Sequence, residues 1–350
     1  MNEAYLRVIT AAEQDRLDLF ASAARRVGTT EQNVEKDFWV CWTLDALFHG
    51  RPENAPRLLF KGGTSLSKAF GLISRFSEDI DITVFRQDLG ESVSIDDLEE
   101  LSGKKRRAKL DEIRAACQKY LRDGLRPHLE KVLIESVGHH EHESSGVLLD
   151  GADPDGQTLL LRYPSVLPSD GYVRPAVRIE CGAKSALDPH ALAQVRPYVT
   201  DDLTDVDLTV ADVTTIQPTR TFWDKVVILH GLRAWFEKRA ELRQEGQRIS
   251  RHYYDLHAMF RRETGGAALA DRALGNECVR HARMFFNRPD FSLETAVAGQ
   301  FALRPVGDML AGLRRDYDAM ADMIIGPAPR FDDVLGSIIA IEERLNRADS

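Results

Sequence analysis

Gly62-Gly63-Thr64-Ser65 and Asp79-Ile80-Asp81 are the strings in this chain best suited to chemistry. Positions two apart on a strand share a face, so Asp79 and Asp81 project the same way, with Cα atoms roughly 7 Å apart. Hard divalent cations take oxygen ligands, and Mg2+ is commonly held by one or two carboxylates with phosphate oxygens and water. A Gly-Gly turn that opens a helix offers backbone N–H groups and a positive helix end, with no Cβ in a phosphate's way. A phosphate cradle with metal-binding carboxylates is the minimal apparatus for phosphoryl or nucleotidyl transfer. Either string alone says little, because a lone Gly-Gly is usually a turn and a lone Asp-x-Asp is often a solvated edge. Together, with a strand before the glycines and a helix after them, they point to catalysis.

The elements that must position them are legible in part. Leu58-Leu59-Phe60 is a short apolar strand, Thr64 to Ile73 reads as a short helix, and Asp79 to Val84 alternates strictly, as a strand does. Residues 10–49 read as two helices. Thr10 with Glu13 opens the first with a capping-box pattern, and Val34, Phe38, Cys41, Trp42 and Asp45 stripe the second. Trp39 and Trp42 read as core or as a domain contact. Residues 88–100 are acidic, and Lys104-Lys105-Arg106-Arg107 follows, a reversal read as two solvated faces near each other. An amphipathic helix comes next. Gly146–Leu149, Thr158–Tyr163, Val173–Cys181 and Asp207–Ile216 read as strands, the first two flanking the turn Asp153-Pro154-Asp155-Gly156. Beyond Pro218 the pattern is helical, at 219–244, 250–263, 267–286, 305–324 and 331–347. The expected organisation is a core with N-terminal helices over 1–217 and a helical domain over 218–350.

Composition narrows the class. The chain has 350 residues, 43% of them hydrophobic and 29% charged, which is ordinary for a soluble globular protein. No apolar stretch approaches the roughly 18 residues of a membrane span. Glu3, Arg7, Glu13 and Asp15 interrupt the stretch a signal peptide would need, so the expected location is the cytoplasm, with no membrane partner. Cys41, Cys117, Cys181 and Cys278 form no CxxC pair and read as buried reduced thiols. His139-His140-Glu141-His142-Glu143 lacks HExxH spacing and reads as a solvated loop. The net charge of −9 argues against a generally basic nucleic-acid coat. Residues 104–131 nevertheless carry ten Lys or Arg against four Asp or Glu, and residues 225–262 are also locally basic. An RNA ligand needs such surface, and so does an acidic protein partner.

The string Phe60-Lys61-Gly62-Gly63-Thr64-Ser65-Leu66-Ser67-Lys68, followed by Arg75-Phe76-Ser77-Glu78-Asp79-Ile80-Asp81, resembles the AbiEii/AbiGii toxin family, which includes MenT-type toxins. The broader pattern is that of the DNA polymerase β nucleotidyltransferase superfamily, with a slightly long gap of 15 residues between Gly63 and Asp79. Glu35-Lys36-Asp37-Phe38-Trp39-Val40 resembles the family's N-terminal helix. Arg220-Thr221-Phe222-Trp223-Asp224-Lys225 with Leu229-His230 resembles its lysine motif, and Arg251-His252-Tyr253-Tyr254-Asp255-Leu256 its last motif.

The resemblance implies an α+β fold, a mixed-sheet nucleotidyltransferase core with a helical C-terminal half. It implies transfer of a nucleoside monophosphate (NMP) from an NTP with Mg2+ (or Mn2+), a tRNA 3′ end or other RNA as acceptor, a cognate antitoxin as partner, and a role in phage defence. The same chemistry on a small molecule such as an aminoglycoside, or on a protein, is the alternative. By the resemblance Asp79 and Asp81 bind the metal, and Glu180, in Ile179-Glu180-Cys181, is the third metal carboxylate and candidate base. Lys61, Gly62, Gly63, Thr64 and Ser65 hold the NTP phosphates, and Lys225 neutralises the triphosphate. Asp255 acts near the attacking hydroxyl or positions a catalytic group. The plain alternatives are a solvated helix lysine for Lys225 and, for Asp255, a surface carboxylate paired with Arg251.

Overall fold

The computed structural model describes residues 1–138, 145–168, 175–243 and 248–347. The chain divides into two compact units: Met1–Phe70 with Phe76–Val93 and Gly103–Ile216, and Gly71–Arg75 with Ser94–Ser102 and Gln217–Ser350. Two short pieces of the N-terminal half thus belong to the second unit.

The first unit begins with helices α1 (Ala4–Ile9), α2 (Glu13–Val27) and α3 (Glu31–Phe48). The expected capping box is absent. Thr10 ends α1, an extra helix, and its hydroxyl donates to the Leu6 carbonyl at 2.7 Å, so α2 begins at Glu13 without a side-chain cap. Thr30 caps α3 instead, accepting from the Asn33 N–H. Strand β1 (Leu58–Lys61) leads into α4 (Gly62–Lys68), and β2 (Asp79–Val84) follows. The helix at 64–73 therefore starts earlier and is shorter than its pattern suggests. The backbone turns at Gly71 with φ +60°, and Arg75 forms a β-bridge with Ile324 in the second unit.

After α5 (Ile95–Glu100), which belongs to the second unit, come α6 (Gly103–Tyr120), α7 (Arg126–Val137), β3 (Gly146–Leu149), β4 (Thr158–Arg162), β5 (Ala176–Gly182), β6 (His190–Val195) and β7 (Val210–Ile216). The seven strands form one sheet in the order β3-β4-β5-β2-β1-β7-β6. It is mixed: β2 pairs parallel with β5 and β1 parallel with β7, while the other pairs are antiparallel. Strand β6 does not stand out in the sequence, and β7 is shorter than expected. Val173 and the run 139–143 lie outside the described residues.

Helix α3 is the axis of this unit. Every residue from Val34 to Leu47 is buried, so the single stripe read from its sequence underestimates its burial. Trp39 and Trp42 are core residues, and Trp39 stacks on Tyr163 with ring centroids 5.3 Å apart. All four cysteines are buried free thiols.

The second unit is helical: α5 with α8 (Pro218–Arg239), α9 (Ser250–Phe260), α10 (Glu263–Ala270), α11 (Arg272–Phe285), α12 (Asp308–Met320) and α13 (Phe331–Asn346). Helix α8 packs on α11, and α9 on α13. The acidic run does not face the basic run that follows it throughout. Asp96 and Glu99 pair with Arg280, at 2.7 Å each. No helix among the described residues is long and apolar enough to cross a membrane.

Candidate active site

The central pair of parallel strands places three carboxylates together. Asp81 is the register partner of Glu180, and Asp79 is the partner of Arg178. Register partners lie about 4.8 Å apart and share a face, so Asp79, Asp81, Arg178 and Glu180 form one polar patch. Their neighbours Ile80, Ile82, Val177 and Ile179 point to the other face and are fully buried. The alternation Val177-Arg178-Ile179-Glu180-Cys181 carries this arrangement in the sequence itself, although nothing in it marks Arg178 as part of the site. Its guanidinium meets Glu180 at 2.9 Å and reaches Asp150 at 3.5 Å.

The other edge of the patch comes from β1. Lys61 is the register partner of Asp81, and its ammonium lies 3.6 Å from the Asp81 carboxylate. Gly62 follows with φ +80°. A Cβ built there would stand 1.9 Å from Asp81 Oδ2, closer than any real contact, so the carboxylate lies directly against the glycine backbone. Only glycine permits both the left-handed backbone and this approach. Gly62→Ala should therefore displace the Asp81 carboxylate and destabilise the fold by about 1–2 kcal/mol. Thermal melting of the variant alongside a transfer assay checks this. Wild-type behaviour in both would refute the close packing.

Thr64 and Ser65 are fully buried, and their hydroxyls are used internally. Thr64 Oγ1 donates to the Asp79 carbonyl and lies 2.8 Å from Ser77 Oγ, while Ser65 Oγ donates to the Gly62 carbonyl at 2.9 Å. These hydroxyls shape the turn and tie it to the start of β2. What the Gly62–Ser65 turn has to offer a phosphate is its backbone N–H groups.

Burial raises the Asp79 carboxyl to about 6, reinforced by the negative charges of Glu78, Glu180 and Asp81. The patch thus concentrates negative charge that the protein offsets only in part. Among the described residues no three His, Cys, Asp or Glu side chains already converge as a metal cage. Two neighbouring Asp carboxylates, with Glu180 turned to Arg178, nevertheless fit a Mg2+ site completed by phosphate oxygens and water. The donor set is all oxygen, as a hard cation requires.

In the second unit the structure gathers Lys225, Asp255 and Arg75. Asp255 on α9 is completely buried. Arg75 grips it with Nε to Oδ1 at 2.8 Å and Nη2 to Oδ2 at 2.9 Å, and the Lys225 ammonium on α8 lies 2.8 Å from Oδ2. His252 Nδ1 lies 3.4 Å from the same ammonium. Burial opposes the carboxylate charge, but Arg75 and Lys225 outweigh it and hold the Asp255 carboxyl well below the usual range. Lys225 is thus a buried lysine, not a solvated one. Asp255 pairs with Arg75 and Lys225, which rules out a surface pairing with Arg251. Asp255 is enclosed, with Arg75 and Lys225 on its carboxylate. Ser74, next in the chain, extends the anchorage: its N–H donates to Tyr254 OH at 3.2 Å, and its carbonyl accepts from the Ile325 N–H at 2.7 Å. In the sequence Arg75 stands only as part of a motif. Its partner lies 180 residues away, and nothing local signals it.

The family model described as nucleotidyl transferase AbiEii toxin, type IV toxin–antitoxin system, matches residues 45–337. No curated protein sequence matches the chain. Among solved structures, MenT4, a nucleotidyltransferase toxin from Mycobacterium tuberculosis H37Rv, is similar over 94% of this chain and 99% of that one. The identity is 18% and the TM-score 0.37, a level at which likeness carries no functional information. The family match spans both strings and both helical motifs, from the glycine pair to Asp255, and the chain belongs to the AbiEii family of nucleotidyltransferase toxins.

Proposed function

We propose that the protein transfers an NMP from an NTP to an RNA acceptor, the tRNA 3′ end, in a Mg2+-dependent reaction (or one with Mn2+), and that this transfer is its toxic act. The observation that carries the reading is the patch of Asp79, Asp81 and Glu180 on paired parallel strands, with the Gly62 backbone packed against Asp81. Asp79 and Asp81 would hold the metal, which when bound polarises phosphoryl oxygens and offsets developing charge. Glu180 would align or deprotonate the acceptor hydroxyl, with Arg178 holding its side chain. Lys61 and the backbone of the Gly62-Gly63 turn are assigned to the phosphates. Lys225 is assigned to the triphosphate. With Arg75 it meets the Asp255 carboxylate, and an ammonium is the type of charge that suits a polyanion.

RNA is favoured over a small-molecule or protein acceptor by the exposed cations of α6, among them Lys104, Arg107 and Lys119, in the same unit as the carboxylates. Membership of a type IV toxin–antitoxin family implies an antitoxin as partner, and phage defence is the setting this suggests.

The test is incubation with each α-labelled NTP in turn, with total RNA, an aminoglycoside panel or a protein extract as acceptor. Label should enter small RNA, stop with EDTA and return with added Mg2+. Label entering only an aminoglycoside or a protein would replace the RNA reading with the alternative.

A further inference from the structure

Helix α3 carries three successive charges in the core: Glu35, Lys36 and Asp37 are 2%, 5% and 3% exposed. Consecutive helix residues point about 100° apart, so the three reach in different directions. An unpaired buried charge costs several kcal/mol, and each of these is met by a partner. Glu35 accepts from Ser165 Oγ at 2.5 Å and from the Val166 N–H at 2.9 Å. Asp37 accepts from Lys68 Nζ at 2.7 Å and from the Tyr198 N–H at 2.7 Å, and Lys68 also lies over the Tyr198 ring at 3.8 Å. Lys36 Nζ is paired with the Glu78 carboxylate.

Two of these partners flank the active site. Lys68 is the last residue of α4, the helix that the glycine pair opens. Glu78 immediately precedes Asp79. One rigid, fully packed helix therefore holds the far end of the phosphate-facing turn and the entry to the carboxylate strand. Well-packed apolar residues would stabilise a core as well as or better than buried ion pairs, so stability alone does not explain the two pairs Lys36–Glu78 and Asp37–Lys68. What charged pairs add is a fixed position for each partner. The residues Glu35 to Asp37 lie before the family match, which begins at residue 45.

We propose that Lys36 is a positioning residue for nucleotidyl transfer, setting the start of β2 through Glu78 and thereby the placement of Asp79 and Asp81. The proposal rests on the reading of Asp79 and Asp81 as the reacting carboxylates. Lys36 touches neither NTP nor acceptor in this account. Misplacing catalytic groups by about 1 Å costs up to about a hundredfold in rate, and a shift of the carboxylates acts on the transition state more than on NTP binding.

The test uses the full chain and steady-state transfer from labelled NTP to total RNA. Wild type, Lys36→Met, Lys36→Arg, Glu78→Gln and Asp81→Asn are compared at a temperature at which circular dichroism shows each one folded. Lys36→Met should lower kcat by about ten- to a hundredfold and change the KM for NTP less than about threefold. Lys36→Arg should recover kcat to within about threefold of wild type. Should Lys36→Met not fold, Glu78→Gln, which removes the less buried partner, should show the same loss in kcat. A lower melting temperature with wild-type kcat per folded molecule, in Lys36→Met or in Glu78→Gln, would overturn the proposal. An active Asp81→Asn enzyme would instead refute the reading of the carboxylates. An inactive Asp81→Asn beside a fully active Lys36→Met would refute the positioning role alone.

Discussion

Asp81→Asn should lower NMP transfer by about 10³-fold, the effect of losing some 4 kcal/mol of transition-state stabilisation. The substitution keeps the shape of the side chain against Gly62 and removes its charge. It should leave the fold within about 0.5 kcal/mol of wild type, for two opposing reasons. Relief of like charge beside Asp79 and Glu180 stabilises, while the half-exposed contact with Lys61 is lost at little cost. Urea denaturation read beside the transfer assay separates the two effects. A well-folded variant with wild-type turnover would remove Asp81 from the chemistry. If toxicity is enzymatic, cells should also tolerate expression of the variant.

Asp255→Ala should be the most destabilising single change named here, by about 3–5 kcal/mol, because it leaves the Arg75 and Lys225 charges buried without their shared partner. Adding Lys225→Met to Asp255→Ala removes one of those lone cations and should recover part of the loss. The carboxyl of Asp255 is depressed in the folded state, so its contribution is complete above the unfolded carboxyl pKa of about 3.9 and is lost as pH falls below it. Denaturation of the two single variants and the double variant measures the coupling. A loss under about 0.5 kcal/mol in Asp255→Ala, as for a surface residue, would contradict the buried pairing.

What the sequence reveals here depends on how far each interaction reaches along the chain. Strand β2 is legible because its buried and polar faces alternate residue by residue, and so are most of the C-terminal helices, whose stripes recur at 3.6 residues. Strand β6 is not legible. His190 to Val195 has no alternation, and Leu192 stands 65% exposed, so the segment is a strand because β7 offers it hydrogen bonds. Helix α1 is short and lies ahead of a pattern that looks like a cap. The carboxylate patch was half visible. Asp79 and Asp81 share a face by spacing alone, whereas the pairing that brings Glu180 beside Asp81 joins residues 99 apart. The surroundings of Lys225 and Asp255 were hidden for the same reason: Arg251 is the near neighbour in sequence, but Arg75 is the partner in space. Glu35, Lys36 and Asp37 stand out in the sequence only as part of a family motif, and their partners Ser165, Glu78 and Lys68 are distant along the chain.

The most direct measurement of nucleotidyl transfer to RNA compares two labels of the same NTP, one at the α-phosphate and one at the γ-phosphate, with purified total tRNA and Mg2+. Attack at the α-phosphate moves the NMP and releases pyrophosphate, so the account predicts α-label in full-length tRNA and γ-label only in pyrophosphate. Gamma-label in the RNA, or no label in any RNA with all four NTPs while the protein is folded, would contradict it.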